Sequence, residues 1–379
     1  MIRRIRIQNF KSLRDVTVEL SPVTVLVGRS GTGKSNFVTA IRFLRDLLLS
    51  GKEPNELAQV YGGAQLLKPM TFDKEETPLI QFEVDFDIPG FDGVFSYSLR
   101  VNSFLNGPVS ECLKLGQRTF FRQGRDVPSN GWDVPPAVTP LPKRGQIAIG
   151  RLPGLQEVVL ANAALTVGIG VYHFPQNVMV AAGGNGVAGL NDDGSNFLSV
   201  IKDLTTNWQH VSSRREISTV LQRVNSTVGS IELDSIQAPT AAIVGHRFGQ
   251  NTMTLNLNQE SDGFRRFYAH LLALYQTPPK QTVIFEEPEN GIHPGALALL
   301  ADEFNAAPDA GRGQVLLTTQ SPGLLDHFST DQIRVVDLVD LETRIGPLDE
   351  GQRSAIQDHL LRPGELLTTD PARLQGASS

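Results

Sequence analysis

"VTVLVGRSGTGKSNF", residues 23–37, is the stretch on which the reading turns. Five β-branched or apolar residues, "VTVLV", predict a short buried strand. "GRSGTGKS", Gly28 to Ser35, then fits the pattern G-x-x-x-x-G-K-[ST]. From Lys34 to Leu49 the apolar residues recur at helical spacing. Strand, glycine loop and helix in that order form a cradle for phosphate. Glycine lets backbone N–H groups approach phosphate oxygens, and a helix N-terminus favours an anion. Lys34 is expected at the β- and γ-phosphates, exposed at the loop, and Ser35 on Mg²⁺. Gly28, Arg29, Ser30, Gly31, Thr32, Gly33, Lys34, Ser35 and Asn36 are therefore the candidate nucleotide-binding residues.

A second stretch supplies what such a loop needs. "VIFEEPENGIHP", residues 283–294, climbs through an apolar strand to two glutamates and breaks at Pro288. A carboxylate from a neighbouring strand can complete a Mg²⁺ shell, and a second can take a proton from the attacking water. Glu286 is assigned to the metal and Glu287 to the water. Successive residues of a strand point to opposite faces, so the strand must end near Glu286 for both to serve one site. Mg²⁺ keeps several waters, so Glu286 could act through one of them. His293 reads mainly as a capping or packing residue at the following helix, ahead of a dimer-interface role and of direct catalysis.

Composition bounds the rest. The chain has 379 residues, 40% hydrophobic and 20% charged, enough for a large core. Net charge is −6, which argues against a surface basic all round. No apolar run reaches spanning length, so no membrane partner is expected. "MIRRIRIQNF" lacks an apolar signal core, and the single cysteine, Cys112, suits a reducing compartment. A cytoplasmic location is expected, with Cys112 as a small buried hydrophobe.

Along the chain, strands are expected at residues 2–8, "VTVEL" and "VTVLVG", then at "LIQFEVDFDI", "VFSYSLRV", "ECLKL" and "RTFF". Residues 124–146, with five prolines, read as a loop. Helical texture begins near residue 155, with a glycine-rich interruption at "AAGGNGVAGLNDDG" and helices near 195–210 and 214–227. Strands return over 231–258, and a helix follows from Gly263. "QTVIFEE", "GALALLADEF", "GQVLLTTQ", "GLLDHF" and "IRVVDLVD" then alternate strand and helix, which points to a parallel α/β sheet.

Several of these stretches carry a resemblance. "IRIQNFKSLRDVTVELSPVTVLVGRSGTGKSN", "EEPENGIHP" and "TTQSPGLLD" resemble the opening, acidic strand and switch strand of the SMC/RecF/OLD-like ABC-type ATPases. "LNDDGSNFLSVIKDL" resembles a segment of the smaller OLD-like bacterial forms without a Toprim nuclease domain. Residues 50–150 carry no recognisable motif. The resemblance implies an α/β P-loop NTPase of ABC-head type with a β-rich N-terminal lobe and a helical insertion. The head would comprise residues 1–154 and 236–379, with a helical dimerisation region at 155–235.

It further implies ATP and Mg²⁺ as cofactors and a homodimer or higher homo-oligomer closed around ATP. A Ser-x-Gly signature from the opposing subunit would meet the γ-phosphate, and "ESDGFRRF" supplies Ser261, Asp262 and Gly263 at a helix start. In isolation those residues are an ordinary helix cap. Gln320 stands where histidine is common in the family; its amide can donate or position water but cannot take up charge. Glu287 and Gln320 are the candidate catalytic residues. DNA repair or anti-phage defence is implied, with DNA or a separate nuclease or effector as partner. An ATP-binding scaffold with slow turnover and a transporter's ATP-binding subunit are the alternatives. The distance in sequence between Lys34 and Ser261 disfavours the transporter. An intrinsic nuclease built on Asp337, Asp340 and Glu342 is a further rival, as is a phosphate-binding strip of Arg3, Arg4, Arg6, Lys11 and Arg14. The bland reading of the acids is an ordinary half-exposed strand, and that of the basic strip is a solvated edge with local nucleotide contact for one or two of its residues.

Overall fold

In the computed structural model the described residues are 1–69, 79–102, 108–124, 131–132, 147–152, 155–179, 189–234 and 241–376. They divide into two compact units, residues 1–169 with 329–379, and residues 170–328. The proline-rich stretch read as a loop lies outside the described residues, apart from Gly124, Gly131 and Trp132. So does most of the glycine-rich interruption after residue 180.

The first unit opens with β1 (Ile2–Phe10) and β2 (Leu13–Glu19), an antiparallel pair with Ile5 opposite Val18 and Ile7 opposite Val16. Ile5, Ile7, Phe10, Val16 and Val18 are buried, while the intervening charged residues face outward. This is the period-2 pattern of a sheet covered on one face. After β3 (Val23–Val27), buried throughout, come α1 (Lys34–Ser50), α2 (Pro54–Val60) and α3 (Ala64–Leu67). Then follow β4 (Ile80–Phe86), β5 (Phe95–Val101), β6 (Pro108–Leu115), β7 (Arg118–Gly124), β8 (Gly131–Trp132) and α4 (Gln156–Leu165). The motifless middle of the chain thus completes a seven-stranded sheet, ordered β2-β1-β4-β5-β6-β7-β8. Phe10, Phe43 and Phe82 pack α1 onto it with ring centroids 5.7–6.4 Å apart. Aromatic pairs at such spacing add about 0.5–1.5 kcal/mol each beyond their buried area.

The second unit begins within β9 (Ile169–Tyr172) and continues with α5 (Phe197–Thr206) and α6 (Val211–Val224). A three-stranded antiparallel sheet comes next: β10 (Val228–Asp234), β11 (Ala241–Phe248) and β12 (Asn251–Asn256). Next in sequence are α7 (Asp262–Tyr275), β13 (Thr282–Glu286), α8 (Leu297–Ala306), β14 (Gln314–Thr319) and α9 (Pro322–Leu325). β13 and β14 are parallel, Glu286 level with Thr318, and buried along nearly their whole length. Such doubly covered strands read as continuous apolar runs, which is why "VIF" and "VLL" show no alternation.

The chain then returns to the first unit with β15 (Ile333–Val339), β16 (Glu342–Pro347) and α10 (Glu350–Gln357). β15 pairs parallel with β3, Ile333 level with Val25, and antiparallel with β16. The strand that feeds the phosphate loop, β3, is thus flanked by a strand from the other end of the chain.

Candidate nucleotide site

Two glycines of the phosphate loop, Gly28 and Gly33, are held by contacts that leave no room for a Cβ. A Cβ on Gly28 would lie 2.1 Å from the Val336 carbonyl oxygen, and one on Gly33 would lie 2.0 Å from Thr343 Oγ1. Gly33 also has φ +105°, a conformation that L side chains rarely adopt. Thr343 Oγ1 donates to the Thr32 carbonyl (2.8 Å) and lies 2.6 Å from Ser12 Oγ. Asn36 Nδ2 donates to the same Ser12 hydroxyl at 2.8 Å. The turn between β1 and β2 and the start of β16 thus brace the loop from beneath. Asn36, read from sequence as a nucleotide contact, here bonds Ser12, the last residue of "NFKS", whereas nothing in the sequence marks Thr343.

Lys34 corrects an expectation. It is buried, 5% exposed, with Nζ donating to the carbonyls of Gly28 (2.7 Å) and Arg29 (2.9 Å). An ammonium withdrawn from water needs acceptors, and the loop's own carbonyls supply them. The side chain thereby spans the loop. Arg29, Ser30 and Gly31 stand exposed at the tip, and Ser35 is exposed on the first turn of α1. The N–H groups of Gly31 and Gly33 donate to no backbone carbonyl among the described residues. With the glycine cradle and Lys34, those donors fit the phosphates of a nucleoside triphosphate. The hydroxyl of Ser35 and the carboxylate of Glu286 are oxygen donors of the kind Mg²⁺ takes.

The acidic turn belongs to the second unit. β13 ends at Glu286, and Glu287 has φ +46°, in the left-handed region. That reversal interrupts the alternation which would have sent the two carboxylates apart. The Glu287 N–H holds the position by donating to the Thr318 carbonyl (3.0 Å) and Thr318 Oγ1 (3.1 Å). Both carboxylate oxygens of Glu287 meet amides. Gln320 Nε2 donates to Oε1, and Asn290 Nδ2 donates to Oε2 at 3.0 Å. Glu289, not singled out from sequence, takes the Gln320 N–H and Thr319 Oγ1 on its Oε1, each at 2.8 Å. Burial pushes the Glu289 carboxyl above the ordinary range, although these donors pull it down. Glu289 therefore anchors the backbone from which Gln320 reaches Glu287.

Ser261 caps α7, its Oγ accepting from the Phe264 N–H at 3.3 Å. Asp262 pairs with Arg265. A Cβ on Gly263 would lie 2.8 Å from the Gly291 carbonyl oxygen, so α7 begins directly against the acidic turn. Arg266 donates from Nη1 to the Asn290 carbonyl, binding helix to turn, and burial lowers its pKa. A cavity of about 450 Å³ is bounded by Asp262, Arg266, His270, Glu286, Glu287 and Asn290. His270 Nδ1 donates to the Arg266 carbonyl at 2.7 Å, and burial lowers its pKa to about 4. His293 caps the turn before α8, its Nδ1 accepting from Gly295 N–H at 3.1 Å.

The rival residues find other employment. Arg3, Arg4 and Arg6 lie 2.7 Å from Asp87, Asp85 and Asp15, and Arg14 lies 3.8 Å from Glu342. Those arginines are matched by cross-strand carboxylates. Asp337 stands opposite Arg344 on β16. Among the described residues no group of three His, Cys, Asp or Glu side chains could hold a metal. No helix among them is long and apolar enough to cross a membrane. Cys112 is half-buried, and burial pushes its thiol up, away from the thiolate needed of a nucleophile.

Residues 23–326 match a family described as "AAA domain, putative AbiEii toxin, Type IV TA system". An "OLD nuclease" of Thermus scotoductus is 31% identical over 97 residues, which span 25% of this chain and 16% of that protein. Among solved structures, an SMC head bound to the C-winged helix domain of ScpA matches with TM-score 0.59 and 14% identity, covering 94% of this chain and 99% of that one. An SMC head domain with an extended coiled coil, bound to the C-terminal domain of ScpA from Pyrococcus furiosus, gives TM-score 0.57 and 12% identity over 95% and 99%. At such identities the likeness shows the fold, that of a P-loop ATPase head.

Proposed function

The chain belongs to the AAA-domain family just described, an ATPase of AAA/ABC type related to SMC and OLD proteins, and from that premise we propose that it hydrolyses ATP as a switch controlling a separate effector. The observation that carries this is Glu287, placed beyond the end of β13 with each carboxylate oxygen held by an amide. A carboxylate offers about four lone-pair sites, so two remain for a water and its proton. Glu287 accepts that proton. Gln320 and Asn290 fix the direction from which it is taken, and Glu289 fixes Gln320. When bound, Mg²⁺-ATP supplies the phosphoryl group and neutralises its charge. Gly28–Ser35 would hold the phosphates, with Lys34 turning from its carbonyls toward them, and Ser35 and Glu286 would each offer an oxygen to the metal.

Two such chains would close around ATP, with Ser261, Asp262 and Gly263 of each facing the phosphates of the other. We assign the dimer contacts to residues 155–235, where Trp208 stands 79% exposed. The relative named a nuclease and the family description naming a toxin support a role in DNA repair or anti-phage defence. The SMC heads bound to ScpA support control of a partner protein. A slow ATP clamp is the second reading, favoured by the neutral Gln320.

Phosphate release with Mg²⁺-ATP, beside a Glu287→Gln control, tests the proposal. The substitution keeps size and hydrogen bonding but removes the proton acceptor, so ATP should still bind. Turnover should fall by roughly 10²–10⁴. Equal rates from both proteins would leave the clamp reading in place.

A further inference from the structure

Among the described residues β10 is an edge strand, paired with β11 on one side only in the order β10-β11-β12. A groove of about 750 Å³ runs beside it, lined by the four consecutive residues Ser230, Ile231, Glu232 and Leu233. Consecutive residues of a strand point to opposite faces. A groove that touches all four therefore follows the edge of the strand, where unpaired N–H and C=O groups lie, rather than either face. Among the described residues, no backbone hydrogen bond outside the sheet engages residues 230–234.

The opposite wall is helical and basic. α6 contributes Val211, Arg214, Arg215 and Ser218, the i, i+3, i+4, i+7 positions of one face, and α5 contributes Lys202. Lys202, Arg214 and Arg215 are exposed, and none has a carboxylate within ion-pair distance among the described residues. Glu232 is the one acid in the lining. The contrast with β1 is plain, since there each arginine is matched. The opposite face of α6, Ile217, Val220 and Leu221, is buried and holds the helix, and of the basic residues Arg214 also donates from Nη1 to the Thr205 carbonyl of α5 at 3.2 Å.

We propose that this groove binds an extended acidic segment of a partner protein, which adds as a strand to β10. Main-chain hydrogen bonds to the free edge give the affinity, and carboxylates against Lys202, Arg214 and Arg215 give the sign of charge selected. A strand of five residues spans about 17 Å at ~3.4 Å per residue. Single-stranded nucleic acid would satisfy the cations but cannot continue a β-ladder. The inference goes beyond the ATPase reading, and it requires that the dimer contacts assigned to residues 155–235 leave Lys202, Arg214, Arg215 and the edge of β10 uncovered.

The test uses the full chain and a fluorescein-labelled ten-residue peptide alternating Glu with Val or Thr, read by anisotropy at physiological salt. Saturable binding is expected. The Lys-for-Glu peptide, and the acidic peptide N-methylated at consecutive central residues so that both strand edges lose donors, should each bind at least tenfold more weakly. Arg214→Glu/Arg215→Glu should weaken the acidic peptide at least tenfold while circular dichroism and Tm stay near wild type. Lys202→Glu alone should weaken it by a smaller factor, which guards against a double variant that misfolds. Equal binding of the N-methylated peptide would overturn strand addition. Labelled oligo-dT binding in place of the acidic peptide would overturn the partner class. A wild-type dimer that becomes monomeric on charge reversal would show the groove to be filled by a second copy, and would overturn the proposal as well.

Discussion

The phosphate loop and the acidic turn are built on opposite principles. Around Gly28–Ser35 the chain is positioned by excluded volume and backbone: glycine cradles against Val336 and Thr343, and a lysine bonded to two loop carbonyls. Around Glu286–Gly291 it is positioned by side-chain amides and acids: Gln320, Asn290, Glu289 and Thr318. A backbone device permits almost no substitution, whereas a side-chain network can lose one member and relax. Changes in the loop should therefore act as all or none, and changes in the turn as graded losses.

The sharpest expected effect is Lys34→Ala. It removes the cation that phosphates would meet and also releases the Gly28 and Arg29 carbonyls. Calorimetry with Mg²⁺-ATP should show no binding. Because two charge-assisted bonds are lost, stability should fall by about 2–4 kcal/mol rather than stay unchanged. Tight ATP binding by this variant would put the loop assignment aside.

The second test asks whether loop and signature act across subunits. Ser261→Arg adds bulk and positive charge at the start of α7, so each chain should bind ATP yet not turn it over. Mixed with Lys34→Ala chains, it should form heterodimers with one intact composite site. Random pairing gives up to about a quarter of the wild-type sites in a twofold dimer. Absent recovery, in a mixture shown by mass spectrometry to exchange subunits, would place catalysis within one chain.

The difference between the two regions also explains what could be read in advance. The loop was legible because glycine spacing and a following helix carry its mechanism in sequence. The strand pair "VIF" and "VLL", the helix at α7 and the end of β13 followed from apolar runs and a proline. The amide partners of Glu287 were less visible. Asn290 lies three residues on and Gln320 arrives from another strand, so only a known register of β13 against β14 joins them. Lys34 was misplaced for a related reason, since spacing says nothing about which carbonyls a long side chain can reach. Residues 50–150 offered no motif because their role is a sheet, and sheets are specified by alternation rather than by named residues.

A third test probes the support behind the acidic turn. His270 is buried among Phe174, Phe285 and Phe304, with its pKa lowered by burial from 6.5 to about 4. Neutral in the folded state, it takes a proton at mild acidity only after unfolding. Its contribution to stability is thus intact above pH 6.5 and is lost as pH falls toward 4. The loss should reach about 3 kcal/mol, at ~1.4 kcal/mol per pKa unit. Urea unfolding between these limits should show a shallower pH slope in His270→Phe than in wild type. Identical slopes would mean that the ring is protonated in place.

The smallest expected effects best separate a network from a rigid cradle. Asn290→Ala and Gln320→Ala each remove one donor to the Glu287 carboxylate and leave the other. A hydrogen bond to a charged group contributes about 1.5–3 kcal/mol, of which rearrangement returns part, so kcat should fall about tenfold in each. KM should change little, because both amides bond to Glu287 and not to the residues proposed to hold phosphate. The double variant decides the matter. If both amides serve one orientation of one carboxylate, most of that orientation is gone after the first loss, and the second should add less than a further tenfold. Fully multiplicative losses would mean that each amide acts on a separate step. A rise in KM with kcat unchanged would place Gln320 on the nucleotide and not on Glu287.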